Sequence, residues 1–297
     1  MDGWFGLGEK AEEFELQTAK ALGKDFGVFV NSGSSANLVA LLTIRELFKD
    51  KTSSSRNKVI VPASSFPTTV NPIIQLGFEP LFVDVELGSY APVYDQVMEA
   101  LERHDVIGMM FAHPLGNPVA QTKEYYEKLN EVGGFLIEDC CDCLGGKYLG
   151  VPVGTYSHVA TLSTYMAHHI TSGEGGMVCF NRKKHQRIAK SFRDWGHAED
   201  YVEAMWLMLQ QDKPGDYVCS TGVSHSVKDL VEYVVNSLGL DCSKYVSVDE
   251  KYLRPEELKH LKGDCSKIKK DLGWSPNYNF ESMMDEMIEY WVEYYEK

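Results

Sequence analysis

The sequence predicts an α/β fold with a mainly parallel sheet, followed by a helix-rich C-terminal part. Three observations lead to this prediction: short apolar segments recur between Phe26 and Phe180, amphipathic stretches of helical length separate them, and the pattern changes after residue 200. Strands that alternate with helices in this way are typical of a parallel sheet covered on both faces. A chain of 297 residues can bury one large core or two modest ones.

The elements of the sheet follow in order along the chain. Short apolar runs predict strands at Val28–Val30, Val59–Val61, Pro80–Val85, Val106–Ala112, Phe135–Glu138, Val159–Ser163 and Met177–Phe180. Between them, helical periodicity predicts helices at Ser35–Phe48, Thr68–Leu76, Asp95–Glu102 and Lys123–Val132. The polar segment Lys49–Arg56 is predicted to be a loop.

The C-terminal part has a different pattern. Helices are predicted at Tyr201–Gln211, Val227–Leu238, Ser266–Leu272 and Phe280–Tyr295, and a short strand at Tyr217–Ser220. With so few strand candidates, this part is too small to form a complete domain by itself. We therefore expect it to pack against another surface. The predicted domains are residues 1–196 and 197–297.

Composition excludes several classes of protein. A net charge of −14 argues against nucleic acid or an anionic membrane as the main partner. The absence of a long apolar run and of a signal peptide favours a cytoplasmic location without a membrane span. Three of the seven cysteines, Cys140, Cys141 and Cys143, stand too close together to pair easily, so a disulfide framework is not predicted. They are also too close together for tetrahedral ligation, so a metal site is not predicted.

The segment Asn31–Asn37 is a candidate phosphate site, because it follows a predicted strand and opens a predicted helix. Small residues such as Gly33 let the backbone approach a ligand, and the free N–H groups of a helix N-terminus attract phosphate. The hydroxyls of Ser34 and Ser35 would add donors. An N-cap cluster that only starts the helix explains the same residues equally well.

Asp139 stands at the end of an apolar predicted strand. Ligands of open α/β sheets bind at the carboxyl ends of strands, where an aspartate could keep the ring nitrogen of a pyridine cofactor protonated. A structural aspartate that caps the next turn is the alternative.

The region between Ser163 and Gly176 is the most informative. It contains adjacent histidines, His168 and His169, between a predicted strand and a glycine-rich turn. A single loop histidine is commonly structural, but this pair in this context favours a functional site.

Together these segments resemble the DegT/DnrJ/EryC1/StrS sugar aminotransferase superfamily, which uses pyridoxal phosphate on the aspartate-aminotransferase fold. The motifs occur in the family's order across about residues 4–196: Ser-Gly-Ser-Ser-Ala-Asn at 32–37, Phe-Pro-Thr-Thr at 66–69, Leu-Gly-Asn-Pro at 115–118, Glu-Asp at 138–139, and Ser163 followed by Gly-Glu-Gly-Gly at 173–176. In most members the position of His168 is the lysine that binds the cofactor covalently. A histidine there resembles the branch that dehydrates nucleotide-linked 4-keto-6-deoxyhexoses at C3.

The resemblance implies a role for each matching residue. His168 would be the base that takes a proton from the C4′ carbon of pyridoxal or pyridoxamine phosphate. Asp139 would pair with the ring nitrogen and Phe66 would stack on the ring. Ser34, Ser35 and Ser163 would hold the phosphate. The family also implies a nucleotide-sugar substrate, a homodimer and a place in deoxysugar and lipopolysaccharide O-antigen biosynthesis.

A second resemblance begins at His197 and runs to the C-terminus. It is to the C-terminal part of GDP-mannose 4,6-dehydratase, an extended short-chain dehydrogenase. The matching segments are 197–206, 221–222, 225–227, 252–257, 263–267 and 272–276. It implies nucleotide contacts for Arg254 and Glu257, although Arg254 is equally well explained as a surface arginine. The glycine-rich dinucleotide motif and the Tyr-x-x-x-Lys pair of that enzyme class are not found, so NAD(P) chemistry is not predicted.

Three hypotheses for the function follow. The first is a pyridoxamine-phosphate-dependent 3-dehydratase, possessing the large domain but no recognisable small domain. The second is a 4,6-dehydratase-type lyase, and the third is a non-catalytic chimera that binds cofactor or nucleotide sugar. Both families carry an Arg-Asp-Trp-Gly run, which matches residues 193–196. The join at this shared sequence favours a recombination or assembly chimera over a purpose-built fusion.

Overall fold

The computed structural model describes residues 9–190, 196–213, 215, 217–247 and 263–296. The contacts divide the chain into two compact units, Met1–Lys190 and Ser191–Lys297. This division falls a few residues before the boundary predicted after residue 196.

The first unit contains a seven-stranded sheet, in which every predicted strand is present. The strands are β1 (Phe26–Val30), β2 (Lys58–Pro62), β3 (Glu79–Val83), β4 (Val106–Ala112), β5 (Phe135–Asp139), β8 (Val159–Ser163) and β9 (Gly176–Phe180). Their order is β1-β9-β8-β5-β4-β2-β3. Only β9 runs antiparallel to its neighbours, β1 and β8, so the sheet is mainly parallel as predicted. A hairpin of two short strands, β6 (Lys147–Tyr148) and β7 (Val151–Pro152), lies outside this sheet.

Helices connect these strands, and the four predicted ones are present. The helices of this unit are α1 (Glu9–Ala21), α2 (Gly33–Leu47), α3 (Pro67–Gln75), α4 (Tyr94–Leu101), α5 (Thr122–Glu131) and α6 (Lys183–Lys190). Neither α1 nor α6 was predicted from the sequence. Both are rich in charged residues, and of the eight residues of α6 only Ala189 is buried, so their apolar periodicity is weak.

The core of the first unit lies on both faces of the sheet. Alternation along β2 sends Val59 and Val61 into one apolar cluster with residues of α2 and α3, and Ile60 into a second cluster with residues of α4 and α5. All five residues of β5 and all five of β8 are buried. Strands buried on both faces read as continuous apolar runs, which is why the sequence identified them.

The second unit is helical in its described residues. Its helices are α7 (Ala198–Leu209), α8 (Val227–Ser237), α9 (Cys242–Tyr245), α10 (Ser266–Leu272) and α11 (Phe280–Glu296). The prediction of a strand at Tyr217–Ser220 is wrong, because this segment is irregular. A strand needs a neighbouring strand to satisfy its backbone hydrogen bonds, and the described part of this unit offers none.

Two small apolar clusters form the core of the second unit. Ala204, Ile268 and Trp274 form one, and Phe280, Met283 and Met284 form the other. Within the described ranges, the helices are all too short or too polar to cross a bilayer.

Candidate active site

The carboxyl ends of two neighbouring parallel strands carry the central residues of the site. Asp139 is the last residue of β5 and Ser163 the last of β8, and both side chains are buried. Because the two strands pair in parallel, with Asp139 opposite Thr161, their ends lie at the same edge of the sheet. This is the edge at which open α/β sheets bind ligands.

Three donors hold the carboxylate of Asp139. Asn37 Nδ2 and Thr69 Oγ1 donate to Oδ2 at 2.7 and 2.9 Å, and the backbone N–H of Cys141 donates to Oδ1 at 3.1 Å. Thr161 Oγ1 donates to Asn37 Oδ1 at 2.6 Å and so orients that amide. An ionised carboxylate only accepts hydrogen bonds, so this environment suits the anion. The bond from Cys141 also shows that Asp139 caps the turn after its strand, as the structural alternative proposed.

The N-terminus of α2 packs closely against the end of β8. Ser32 is the N-cap, and its hydroxyl accepts the backbone N–H of Ser35 at 3.1 Å. A Cβ on Gly33 would lie 2.6 Å from Ser163 Cβ, so only glycine permits this approach. Ser34 is exposed and Ser35 is half-buried in the first turn of the helix. The N-cap interpretation therefore holds for Ser32. The first turn of the helix nevertheless lies at the same edge of the sheet as Ser163.

Gly176 allows β9 to begin directly beside this helix terminus. A Cβ on Gly176 would lie 2.2 Å from the carbonyl oxygen of Ser32 and 2.7 Å from the backbone nitrogen of Gly33. No side chain fits at such distances. The close approach of β9 to the start of α2 thus requires glycine at position 176.

His168 lies in the loop between β8 and β9. The loop is closed at its base by Thr164, whose hydroxyl bonds to Ser172 Oγ at 2.7 Å and whose N–H donates to the carbonyl of Gly175 at 2.9 Å. The His168 N–H donates to the carbonyl of Tyr165 at 3.0 Å, and its Nδ1 lies 3.4 Å from Asp142 Oδ1. The side chain of His168 is 23% exposed, whereas His169 is exposed.

Phe66 is the N-cap of α3, and its side chain is 67% exposed. Thr69, in the first turn of the same helix, donates to Asp139. The start of α3 therefore lies beside the carboxylate, with the Phe66 ring open to solvent near it.

The structure brings most of the predicted site residues to one edge. Direct contacts join Asp139, Ser163 and the start of α2, while Phe66 and His168 connect to them through Thr69 and Asp142. Arg254 and Glu257 lie outside the described residues. Four further residues of this edge were not predicted from the sequence to have a role, although two of them belong to the family motifs at 32–37 and 66–69: Asn37, Thr69, Thr161 and Asp142.

A buried pair of polar side chains, His113 and Glu138, lies on the opposite face of β5 from Asp139. His113 Nε2 is 2.8 Å from Glu138 Oε2, which also accepts the N–H of Gly154 at 2.9 Å. Burial by itself raises the pKa of Glu138, but the hydrogen bonds from His113 and from the Gly154 N–H oppose burial, and this pKa lies below its usual range. The pair ties β5 to the chain after β4 and to the loop after β7.

With Cys140, this pair forms a group of three potential metal ligands. His113 Nδ1 accepts the backbone N–H of Val119 at 3.1 Å, so neutral His113 carries its proton on Nε2 and has no lone pair there for a metal. Burial raises the pKa of the Cys140 thiol well above its usual value, which keeps the sulfur neutral. The hydrogen bonding therefore favours a structural role for this group.

Comparison with known proteins identifies the region that contains this site. The sequence profile of the DegT/DnrJ/EryC1/StrS aminotransferase family matches residues 1–220. The chain is 40% identical to dTDP-4-dehydro-2,6-dideoxy-D-glucose 3-dehydratase of Saccharopolyspora spinosa over 236 residues, which cover 78% of this chain and 46% of that protein. It is also similar to the solved structure of E. coli GDP-4-keto-6-deoxy-D-mannose-3-dehydratase with bound hydrated PLP, with a TM-score of 0.56 and 26% identity over 65% of this chain and 49% of that one.

The C-terminal region matches a different profile, that of GDP-mannose 4,6 dehydratase, over residues 169–287. GDP-mannose 4,6 dehydratase 1 of Arabidopsis thaliana is 50% identical over 97 residues, which cover 33% of this chain and 27% of that protein. The chain thus spans about half the length of the 3-dehydratases that it matches and about a quarter of this second relative. Both resemblances seen in the sequence are confirmed, and the similar solved structure confirms the aminotransferase fold. Since the first profile matches well over half of its residues, the chain belongs to the DegT/DnrJ/EryC1/StrS aminotransferase family.

Proposed function

We propose that the first unit carries the site of a 3-dehydratase that removes the C3 hydroxyl of a nucleotide-linked 4-keto-6-deoxyhexose with pyridoxamine phosphate. The observation that carries this proposal is His168, which stands where most family members have the cofactor-binding lysine. It lies in a closed loop within reach of the turn that follows Asp139. The names of the similar 3-dehydratases support the reaction class.

The residues at the edge of the sheet fit this cofactor. Gly33 and Gly176 let the N-terminus of α2, the end of β8 and the start of β9 approach one another closely at this edge. Hydroxyls of Ser34, Ser35 and Ser163, with the first N–H groups of α2, form a donor set suited to a phosphate. The carboxylate of Asp139, held by neutral donors, suits a protonated ring nitrogen. These are the roles that the resemblance assigns.

When bound, pyridoxamine phosphate supplies the amine that condenses with the 4-keto group and a ring that takes up electrons. In the proposed mechanism, His168 removes the proton at C4′ through a neutral ring nitrogen. Asp139 keeps the ring nitrogen protonated, and Phe66 covers a face of the ring. Because position 168 carries an imidazole and not an amine, this residue would not bind the cofactor covalently. The electron pair left by the proton at C4′ would serve to expel the C3 hydroxyl, which would leave as water with a proton returned by His168.

The test measures exchange of the C4′ proton of pyridoxamine phosphate with D2O in the presence of GDP-4-keto-6-deoxymannose. We expect exchange with the parent chain and a loss of about 10²–10⁴-fold in His168→Gln, the range typical of a general base. Borohydride reduction with pyridoxal phosphate should leave the parent unmodified, while His168→Lys should acquire a phosphopyridoxyl group. Exchange that is unchanged in His168→Gln would refute the assignment.

We also propose that the chain acts as a homodimer. Exposed apolar side chains near the candidate site support this, since a second copy would cover them: Phe66, Leu115, Tyr165, Met166 and Ile170 are each at least 42% exposed. Light scattering coupled to size-exclusion chromatography tests the state, and a monomer at micromolar concentration contradicts it. The predicted cytoplasmic location stays a prediction.

The second unit supports one further candidate, binding of the nucleotide part of a GDP-sugar, because its profile match is to GDP-mannose 4,6 dehydratase. Titration calorimetry with GDP and with CDP tests this, and Arg254→Ala with Glu257→Ala should weaken GDP binding if these residues contact the nucleotide. Equal binding by the double variant would remove both from the proposed contacts. Dehydration at C6 by this chain is not proposed.

A further inference from the structure

Asp142 is a charged residue of the candidate site to which no role has been given. It lies three residues after Asp139, and its Oδ1 is 3.4 Å from Nδ1 of His168. Its side chain is 52% exposed and that of His168 is 23% exposed. The carboxylate therefore faces one particular nitrogen of the imidazole and leaves the other nitrogen, Nε2, on the far side of the ring.

A neutral imidazole can act as a base only through the nitrogen that carries no proton. Which nitrogen that is depends on the hydrogen bond made by the other one. A carboxylate beside Nδ1 attracts a proton to Nδ1, so it favours the tautomer in which Nε2 holds the lone pair. The same contact restricts rotation of the ring.

We infer that Asp142 is a positioning residue, which holds the His168 proton on Nδ1 and aims Nε2 at the reacting proton. This inference rests on the proposed role of His168. It goes beyond that role because it identifies the basic nitrogen and the group that selects it.

The backbone on both sides of the contact is fixed, which gives the pair its geometry. The turn containing Asp142 is held by the Cys141 N–H on Asp139 Oδ1 and by the Cys143 N–H on the carbonyl of Cys140, at 3.1 and 3.0 Å. His168 is held by its own N–H on the carbonyl of Tyr165. One short turn thus carries both the carboxylate assigned to the ring nitrogen and the carboxylate that orients the base. The base is thereby placed relative to the ring.

The tautomer can be measured without cofactor, by ¹⁵N–¹H NMR of the full chain labelled with ¹⁵N-histidine. Spectra at about pH 8, above the usual range of imidazole titration, should show His168 protonated on Nδ1. The resonance is assigned by its loss in His168→Gln. In Asp142→Ala we expect His168 to shift toward the Nε2-protonated form, which free histidine prefers. Asp142→Asn, whose amide oxygen can still accept from Nδ1, should retain part of the parent signature.

Asp50→Ala is the matched control, because Asp50 is an exposed aspartate in the turn after α2. It should leave the His168 signals unchanged, and circular dichroism checks the folding of each variant. If Asp142→Ala does not fold, Asp142→Asn supplies the comparison. His168 shifts that are the same in the parent and in the Asp142 variants would overturn the inference, as would a parent His168 protonated on Nε2.

The C4′ exchange assay then separates this inference from the proposed function. We expect Asp142→Ala to lose at least about 10-fold in exchange rate, within the about 10²–10⁴-fold attributable to the base, and Asp142→Asn to lose less. A tautomer change without any change in exchange rate would show that His168 is positioned by Asp142 but is not the base. In that case the proposed function, with His168 as the base, fails, while the contact between Asp142 and His168 is upheld.

Discussion

His158 should make the stability of the first unit depend on pH. Its Nδ1 accepts the backbone N–H of Leu136 at 3.0 Å. The ring packs against Phe48 and Tyr126, with centroids 5.5 and 5.2 Å away. Burial, with nearby positive charges, lowers the pKa of His158 from 6.5 to about 4. A proton on Nδ1 would also face the Leu136 N–H and break that hydrogen bond.

The sign and size of the effect follow from the two pKa values. In the unfolded chain His158 takes up a proton near pH 6.5, whereas in the folded chain it does so only near pH 4. Protonation between these values favours the unfolded state, so the free energy of unfolding is highest above pH 6.5 and falls as the pH drops toward 4. At pH 5 the loss is about 2 kcal/mol, a substantial part of a typical net stability of about 5–15 kcal/mol.

Urea denaturation at pH 8 and pH 5, followed by far-UV circular dichroism, measures this loss. His158→Asn is the test variant, because an asparagine oxygen can accept the Leu136 N–H but does not titrate. We expect this variant to lose about 2 kcal/mol less than the parent between the two pH values. His104→Asn, at an exposed position, is the control and should behave as the parent does. Equal losses in the parent and His158→Asn would refute the argument.

The remaining predictions concern the site and the second unit. Asp139→Asn should suppress C4′ proton exchange while phosphate binding persists, and exchange as fast as in the parent would make Asp139 purely structural. Gly176→Ala should lower the free energy of unfolding by about 1–3 kcal/mol, because its Cβ would lie 2.2 Å from the Ser32 carbonyl oxygen; an unchanged denaturation midpoint would contradict this. Limited proteolysis should cut first between Gly196 and Gly222, and mass spectrometry of the fragments would disprove this if the earliest cuts lay elsewhere.

The sheet could be predicted because its strands carry their own signal. Every residue of β5 and β8 is buried, so each position is apolar or small, or is a polar group held inside the fold. The helix α1 could not be predicted in the same way. One residue on its buried face is charged, since Glu15 accepts the Phe29 N–H of β1 at 2.9 Å and the Lys190 ammonium of α6 at 2.9 Å. A charged residue with such a role looks like any exposed glutamate in the sequence.

Only the part of the candidate site that follows from the ends of the strands and from the order of the motifs could be predicted from the sequence. The rule that parallel strands end at one edge places Asp139 and Ser163 together without any further information. The hydrogen bonds from Asn37 and Thr69 to Asp139 join residues 102 and 70 positions apart, and no local pattern encodes such contacts. The partner of His168 also comes from another segment, the turn after β5. The sequence therefore predicted the residues of the candidate site, and the fold was needed to find the residues that contact them.

In the second unit, some large apolar side chains are buried and others are exposed. Trp274 is buried, and its indole N–H donates to the carbonyl of Asp200 at 2.9 Å. The Asp200 carboxylate accepts the backbone N–H groups of Asn277 and Tyr278, so one residue in the first turn of α7 holds the segment after α10. On the same helix, Trp206 and Leu209 remain 59% and 81% exposed. Each large side chain left in water forgoes about 1.5–3 kcal/mol of burial. The local polar contacts thus give this unit an ordered centre. Because of its exposed apolar surface we expect it to be the less stable of the two units, and we therefore expect proteolysis to begin there.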